Sequence, residues 1–199
     1  RDPSFPMLGF GTQFLDADHD GWEDLIVTNG HIDDLASIGE PYKMPTQFFR
    51  NLGQGRFEEV PSVKLGPFFQ EPHLGRGLAR VDWNRDGRDD FAVSQLKEPA
   101  GLLTNQTLVS GHFLSVQLRG TKSSRDAIGA TVELTVAGQK ILKQLTAGDG
   151  YYASNEQKLL FGLGSATRVD SLNVRWPSGI VQSWNDIPAG NFVSLIEGS

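Results

Sequence analysis

The sequence predicts an all-β fold. Two acidic nine-residue stretches, residues 16–24 and 82–90, start 66 residues apart, and short apolar runs typical of strands flank each of them. In the second half of the chain, apolar and polar residues alternate between glycine-containing turns, which is the pattern of half-buried strands. Helical periodicity is scarce, and residues 33–38 are the one short helical segment that we predict. These observations predict two β-propeller-type blades followed by a β-sandwich-like domain.

The two acidic stretches share one arrangement of oxygen-bearing side chains. Each has Asp or Asn at its first, third, fifth and ninth positions and glycine at its sixth. Ca²⁺ takes roughly six to eight oxygen ligands at about 2.3 to 2.6 Å, which such alternating carboxylates supply. We therefore interpret both stretches as calcium loops. The twelfth position, where an EF-hand has its bidentate glutamate, holds Val27 or Val93, so these loops join strands rather than helices.

Two calcium ions are predicted, one in each loop. The alternative is that Asp, Asn and Gly cluster here only because they favour turns. Two loops in the same register support the metal, because clustered carboxylates without a cation repel one another. The first loop has one more carboxylate and is expected to bind its ion more tightly. The predicted side-chain ligands are Asp16, Asp18, Asp20 and Asp24 in the first loop and Asp82, Asn84, Asp86 and Asp90 in the second, with the carbonyls of Trp22 and Arg88 completing the two sets.

Each acidic loop is expected to open one blade of four strands. In the first blade, a polar, proline-containing excursion at residues 31–45 is followed by a predicted hairpin at residues 47–60 with a glycine turn. The second blade starts at Gly75, and its last hairpin is cut short near residues 102–105. We place the two blades in residues 1–108.

Residues 109–199 are predicted to form a second, all-β domain. Acidic loops are absent beyond about His112, and seven or so short strands favour a sandwich or a barrel. The predicted strands are residues 113–118, 130–136, 140–145, 159–163, 169–176, 180–184 and 192–196.

Composition excludes several classes of protein. The net charge of −6 argues against nucleic-acid binding, and no apolar run is long enough for a membrane helix. Cysteine is absent, which excludes disulfides and thiolate zinc sites.

Because loops with few surface carboxylates have modest calcium affinity, we expect a secreted, periplasmic or cell-surface location, where calcium is abundant. The chain starts with Arg1, so we expect a processed or excised fragment.

The segments leading into both loops resemble a known repeat. Gly9-Phe10-Gly11 before the first loop and Gly75-Arg76-Gly77-Leu78-Ala79 before the second are similar to FG-GAP or VCBS repeats of the integrin β-propeller type. The C-terminal half resembles the ASPIC/UnbV domain. That resemblance rests on residues 124–130, 148–151, 161–164, 169–170 and 174–179.

This pairing of domains resembles the animal cartilage acidic proteins and many bacterial exported proteins. Such proteins carry several calcium-loop blades before the C-terminal domain. Since a closed propeller needs four or more blades, the resemblance implies a longer protein whose upstream blades pack against these two. The sequence departs from the family at Ser124, where Asn is more common, and in the excursion at residues 31–45. Neither departure touches a predicted calcium ligand.

The sequence gives little support for an enzyme. None of its five Gly-x-Gly pairs has the third glycine of a dinucleotide loop, and no nucleophile elbow or phosphate-binding loop occurs. The strongest catalytic candidate is a polar set whose carboxylates would act as acid and base on a glycosidic bond. The alternative is that these residues form ordinary turns, one of them held by an ion pair between Arg125 and Asp126. The set comprises Arg125, Asp126, Asp149 and Glu156.

Three hypotheses about function follow. The first is a non-enzymatic, calcium-stabilised adhesion or interaction module of an exported protein, whose protein or glycan ligand the sequence does not identify. The second is a carbohydrate-binding or carbohydrate-cleaving protein that uses Trp22, Trp83 or Trp176 as platforms for sugar rings, although a strand-end tryptophan such as Trp176 also suits a core. The third is a structural domain whose partner is another part of the same chain.

Overall fold

Strands account for nearly all the regular structure in residues 3–108 and 111–199, which the computed structural model describes. The predicted all-β fold is therefore confirmed. Within these ranges, three short 3-10 helices span Ala36–Ile38, Ser62–Lys64 and Pro67–Gln70. The strands are β1 (Gly9–Leu15), β2 (Asp24–Asn29), β3 (Met44–Pro45), β4 (Gln47–Asn51), β5 (Phe57–Glu59), β6 (Pro72–His73), β7 (Gly75–Val81), β8 (Asp90–Gln95), β9 (Gly101–Leu103), β10 (His112–Arg119), β11 (Thr131–Val136), β12 (Gln139–Gln144), β13 (Leu159–Gly164), β14 (Arg168–Arg175), β15 (Val181–Pro188) and β16 (Asn191–Ile196).

The first blade is a four-stranded antiparallel sheet in the order β1-β2-β4-β5. The predicted hairpin at residues 47–60 is present as β4 and β5. The helix predicted at residues 33–38 is reduced to the 3-10 turn Ala36–Ile38. The excursion also contains β3, which pairs with β6 just before the second blade. Two-residue strands carry no periodicity, so this pairing was not predicted.

The second blade has three strands, in the order β7-β8-β9. It packs face to face on the first blade through one buried apolar cluster. The inner strands approach closely because Gly11 lacks a side chain: a Cβ there would lie 2.5 Å from the carbonyl oxygen of Arg76. The buried cluster comprises Leu15, Ala17, Ile26, Leu78, Phe91 and Val93.

Strands β10 to β16 form two facing sheets, which we call the sandwich. One sheet has the order β13-β10-β16, with β16 parallel to β10, and the other has the order β12-β11-β14-β15. Inward-facing residues such as Leu114, Val132, Phe161 and Leu172 fill the space between them. All seven predicted strands are present, with ends shifted by a few residues.

The boundary predicted between residues 108 and 109 borders a short gap in the description. Residues 109 and 110 lie outside the described residues, as does Arg1. The division at this position stays a prediction. No helix among the described residues is long and apolar enough to cross a membrane.

Candidate metal centre

The first acidic loop connects β1 to β2 and gathers three of its carboxylates. Oxygens of Asp16, Asp18 and Asp20 all lie within 4.8 Å of one another. The backbone bends because His19 and Gly21 have φ of 59° and 92°. The N–H of Gly21 then donates to Asp16 Oδ2 at 2.9 Å. The loop backbone thus orients the carboxylate group that the sequence predicted.

Burial makes it costly to keep the inner carboxylates of the first loop charged. Asp16 is only 5% exposed, and burial, together with the neighbouring charge of Asp20, raises its pKa to about 7. Burial likewise raises the pKa of Asp24 to about 6. Arg50 compensates the outer part of the loop, since its Nη2 lies 2.8 Å from Asp18 Oδ2 and 3.5 Å from Asp20 Oδ2. The inner carboxylates therefore fit a bound cation, which would favour their charged forms.

The second acidic loop repeats the hydrogen bonds of the first. Asp82 Oδ2 accepts from Gly87 N at 3.2 Å, as Asp16 does from Gly21. Asp82 Oδ1 accepts from Asp86 N at 3.1 Å, which is the counterpart of the bond from Asp20 to Asp16. The two loops therefore share a backbone frame as well as a sequence pattern.

The second loop differs in its charges. The Arg88 side chain folds back onto Asp86, with Nε 3.1 Å from Asp86 Oδ2, and the Asn84 amide donates to the same oxygen at 2.9 Å. Although burial raises the pKa of Asp86, these hydrogen bonds lower it overall. Lys158 Nζ lies 3.5 Å from Asp82 Oδ2. Cationic side chains thus contact two of the predicted ligands in the second loop.

Asp24, the ninth residue of the first loop, also forms structural hydrogen bonds. Asp24 accepts hydrogen bonds from the N–H groups of Ala17, at 3.3 Å, and Asn51, at 2.9 Å. It therefore ties the loop to the end of β4. The close carboxylate group contains Asp16, Asp18 and Asp20 but not Asp24.

Asp90 repeats this arrangement and extends it to the neighbouring loop. It accepts from Trp83 N at 3.3 Å and Asn105 N at 2.7 Å. The Asn105 amide donates in turn to the carbonyl of Ala17, in the first loop, at 3.1 Å. Asn105 thus links the two loops. Sequence reasoning missed it, although its place just beyond β9 resembles that of Asn51 at the end of β4.

His19, a residue of the first loop, packs against the sandwich. It is 1% exposed, and its ring centroid is 5.6 Å from that of Phe113. Among the described residues neither ring nitrogen has a partner at good hydrogen-bond geometry, although the backbone of Gly87 lies close enough to act on the pKa of the ring. Burial lowers its pKa, which favours the neutral ring. His19 therefore packs as a flat, uncharged side chain.

The structure gives different environments to the tryptophans and the polar residues that the sequence indicated as sugar-binding or catalytic candidates. Trp176 is 1% exposed in the sandwich core, so it offers no face to a sugar, whereas Trp22 and Trp83 are about half exposed. In the polar set, Glu156 pairs with Arg85 and Lys158, and Asp149 accepts from Asn155 at 2.8 Å.

Arg125 and Asp126 occupy a turn, as the simpler interpretation predicted. Ala127 N donates to Ser124 O at 2.8 Å, and Gly120 N donates to Arg125 O at 2.9 Å. Within the described ranges, neither Arg125 nor Asp126 forms an ion pair, so the predicted pairing is absent. The carbonyl ligands Trp22 and Arg88 stay predictions.

Comparison with known proteins divides the chain into two matched parts. Residues 16–93 match a family model described as FG-GAP-like repeat, which spans both acidic loops. Residues 120–199 match a family model described as ASPIC and UnbV, which covers most of the sandwich. No curated protein gave a significant match.

Proposed function

We propose that this chain binds calcium through its repeats and acts in adhesion or partner binding rather than catalysis. The support is that an FG-GAP-like match is followed by an ASPIC/UnbV match, a pairing that suggests an integrin-like interaction module. The observation that carries the proposal is the grouping of Asp16, Asp18 and Asp20 within 4.8 Å. The repetition of the same backbone hydrogen bonds around Asp82 supports a second site.

Calcium would act mainly by stabilising the blades. A ligand that binds only the folded state adds about 2.7 kcal/mol per site when its concentration is a hundredfold above Kd. Bound calcium would also offset the burial of the Asp16 carboxylate. The ion would be held by Asp16, Asp18, Asp20, Asp24 and Trp22 O in the first loop, and by Asp82, Asn84, Asp86, Asp90 and Arg88 O in the second.

The proposed location is outside the cytoplasm, on a secreted, periplasmic or cell-surface protein. The support for it is chemical: modest-affinity carboxylate loops fill where calcium is near millimolar. We further propose that the activity is non-enzymatic. The polar side chains of the best catalytic candidates are engaged with separate neighbours, such as Arg85 for Glu156 and Asn155 for Asp149.

Carbohydrate binding is the second candidate function. It is favoured by Trp22 and Trp83, which are 53% and 51% exposed within the acidic loops and could stack on sugar rings. A glycan array without any hit would exclude this candidate, and loss of a hit in Trp22→Ala would support it.

The proposal is tested by calorimetric calcium titration of chelator-stripped protein, with thermal melts in parallel. We expect two binding events, one lost in Asp20→Ala and the other in Asp86→Ala, because each removes one carboxylate ligand. Asp170→Ala is the matched control, since Asp170 is exposed on β14, away from the loops. A melting temperature that does not respond to chelation would contradict the proposal.

A further inference from the structure

We infer that the sandwich forms part of the wall of both acidic loops and sets their affinity for the cation, so that metal binding and docking of the sandwich strengthen each other. The inference rests on the proposed calcium binding and deepens it. It assigns to residues in and next to the sandwich, which contribute no ligand, a role as positioning residues for sites in the repeats.

The first loop is in direct contact with strand β13. A Cβ placed on Gly162 would lie 1.7 Å from Asp16 Oδ2 and 3.0 Å from the Cα of His19. The N–H of Gly164 donates to the His19 carbonyl at 2.9 Å. Gly111, just before β10, approaches the same carbonyl, since a Cβ there would lie 2.1 Å from it. The position of the Asp16 carboxylate therefore depends on a strand of the sandwich that carries no side chain at this point.

The second loop meets strand β10. Gly87, whose φ is +83°, lies under the ring of Phe113, and a Cβ on Gly87 would fall 2.2 Å from that ring. The same ring lies 5.6 Å from His19 of the first loop and 5.4 Å from Phe192 on β16. Phe113 thus packs against both loops at once and anchors them to the sandwich.

Charged contacts reinforce the docking. Lys158 Nζ lies 3.5 Å from Asp82 Oδ2 and 3.4 Å from Glu156 Oε2, and the lysine side chain is only 12% exposed. Glu156 Oε2 accepts a hydrogen bond from the N–H of Asp82 at 3.1 Å. On the first loop, Lys143 Nζ lies 2.6 Å from Glu23 Oε1. A cation and an anion of the sandwich therefore both engage Asp82, the residue that opens the second loop.

These contacts would couple calcium binding to docking of the sandwich in both directions. If the sandwich holds Asp16 and Asp82 in their ion-binding positions, docking raises calcium affinity. By linkage, calcium must then raise the docking equilibrium by the same factor. Coupling of this kind commonly changes affinity by about 5-fold to 150-fold.

The first test is calorimetric calcium titration of Gly162→Ala. We expect the affinity of the first loop to fall on the order of tenfold while the second loop still binds, because the nearest neighbours of the added methyl group, Asp16 and His19, both belong to the first loop. Gly148→Ala is the matched control: it lies in the same part of the chain, and its Cβ would have no neighbour closer than 3.8 Å. Retained binding at the second loop shows that the variant is folded.

The second test uses the unmodified protein and hydrogen exchange. We expect chelation of calcium to lower amide protection along β10 and β13, beyond any change in β15 at the far edge of the other sheet. If calcium binds but Gly162→Ala binds it equally well and β10 and β13 are unaffected by chelation, the coupling is wrong and the proposed function stands. If the unmodified protein binds no calcium, the proposed function itself is wrong. If Gly162→Ala fails to fold, the hydrogen-exchange result on the unmodified protein decides whether calcium binding and docking of the sandwich are coupled.

Discussion

At the scale of single residues, Glu197 shows how one buried carboxylate can organise several segments. It is 2% exposed, and its Oε2 accepts from the N–H groups of Thr121, Lys122 and Ser123 at 2.7 to 2.8 Å. Its Oε1 accepts from the hydroxyls of Ser123 and Ser178. Burial alone would raise the pKa of Glu197, but these donors lower it to about 2.

We predict that Glu197→Gln lowers the melting temperature at pH 7 by a few degrees. A glutamate with a lowered folded-state pKa contributes stability that is present above its unfolded value of about 4.3 and is lost as the pH falls toward 2. The difference between the two proteins should therefore shrink between pH 4.5 and pH 2, as measured by thermal melts across this range. Glu71→Gln, at an exposed position, is the control, and a difference that does not depend on pH would contradict the prediction.

Asn105 is a second residue whose role depends on its neighbours. As part of Asn105-Gln106-Thr107 it resembles a glycosylation triplet, yet its amide nitrogen donates to Ala17 O and its carbonyl oxygen accepts from Thr107 N at 3.0 Å. Both side-chain atoms are thus engaged within the fold. The contact with Ala17 spans 88 residues of sequence, so no local pattern indicates it.

At the scale of elements, the two acidic loops have one backbone frame and different charge. The first loop offers four carboxylates, whereas the second has Asn84 at its third position. Cationic side chains lie against predicted ligands in both loops, Arg50 in the first and Arg88 and Lys158 in the second. The missing carboxylate at Asn84 weakens the attraction of the second loop for a divalent cation. The first loop is therefore expected to bind calcium more tightly.

This comparison predicts the effect of a reciprocal exchange. Asn84→Asp should raise the calcium affinity of the second loop, and Asp18→Asn should lower that of the first, each on the order of tenfold because ligand charge tunes affinity. Site-resolved titration of the single and double variants measures both effects. The prediction is wrong if the order of the two affinities stays unchanged in the double variant.

At the scale of the whole molecule, the two blades present equivalent faces to different surroundings. Phe91 and Val93 of the second blade are buried in the cluster shared with the first blade. Their counterparts Leu25 and Val27 in the first blade are only partly buried. On the same face, Phe14 is 48% exposed. In the second blade this face is covered by the first blade. Among the described residues, nothing covers the corresponding face of the first blade to the same extent.

An apolar sheet face of this kind favours association. We predict that the chain self-associates through it at high concentration, and that Phe14→Ser with Phe57→Ser, whose rings lie 6.4 Å apart, reduces this association. Sedimentation velocity over a concentration series measures the effect. Leu102→Ser, at an exposed position on β9 of the other blade, is the control. Equal association of all three proteins would show that another surface is responsible.

Much of the fold was predictable because its signals are local. Loop spacing, period-two alternation and glycine turns lie within stretches of about ten residues, so the four strands of the first blade, the shortened second blade and the seven strands of the sandwich followed from the sequence. The pairing of β3 with β6 did not, because its strands are too short to show a period.

The sequence by itself determined which residues form the two acidic loops, and it identified the FG-GAP-like and ASPIC/UnbV parts, because both depend on residue types at fixed short spacing. Only the tertiary structure decided that Gly162 and Phe113 lie against those loops, that Asn105 links them, and that Trp176 is buried. The physical reason is that burial and charge pairing depend on groups far apart in the chain, such as Lys158 and Asp82, which only folding brings to within 3.5 Å.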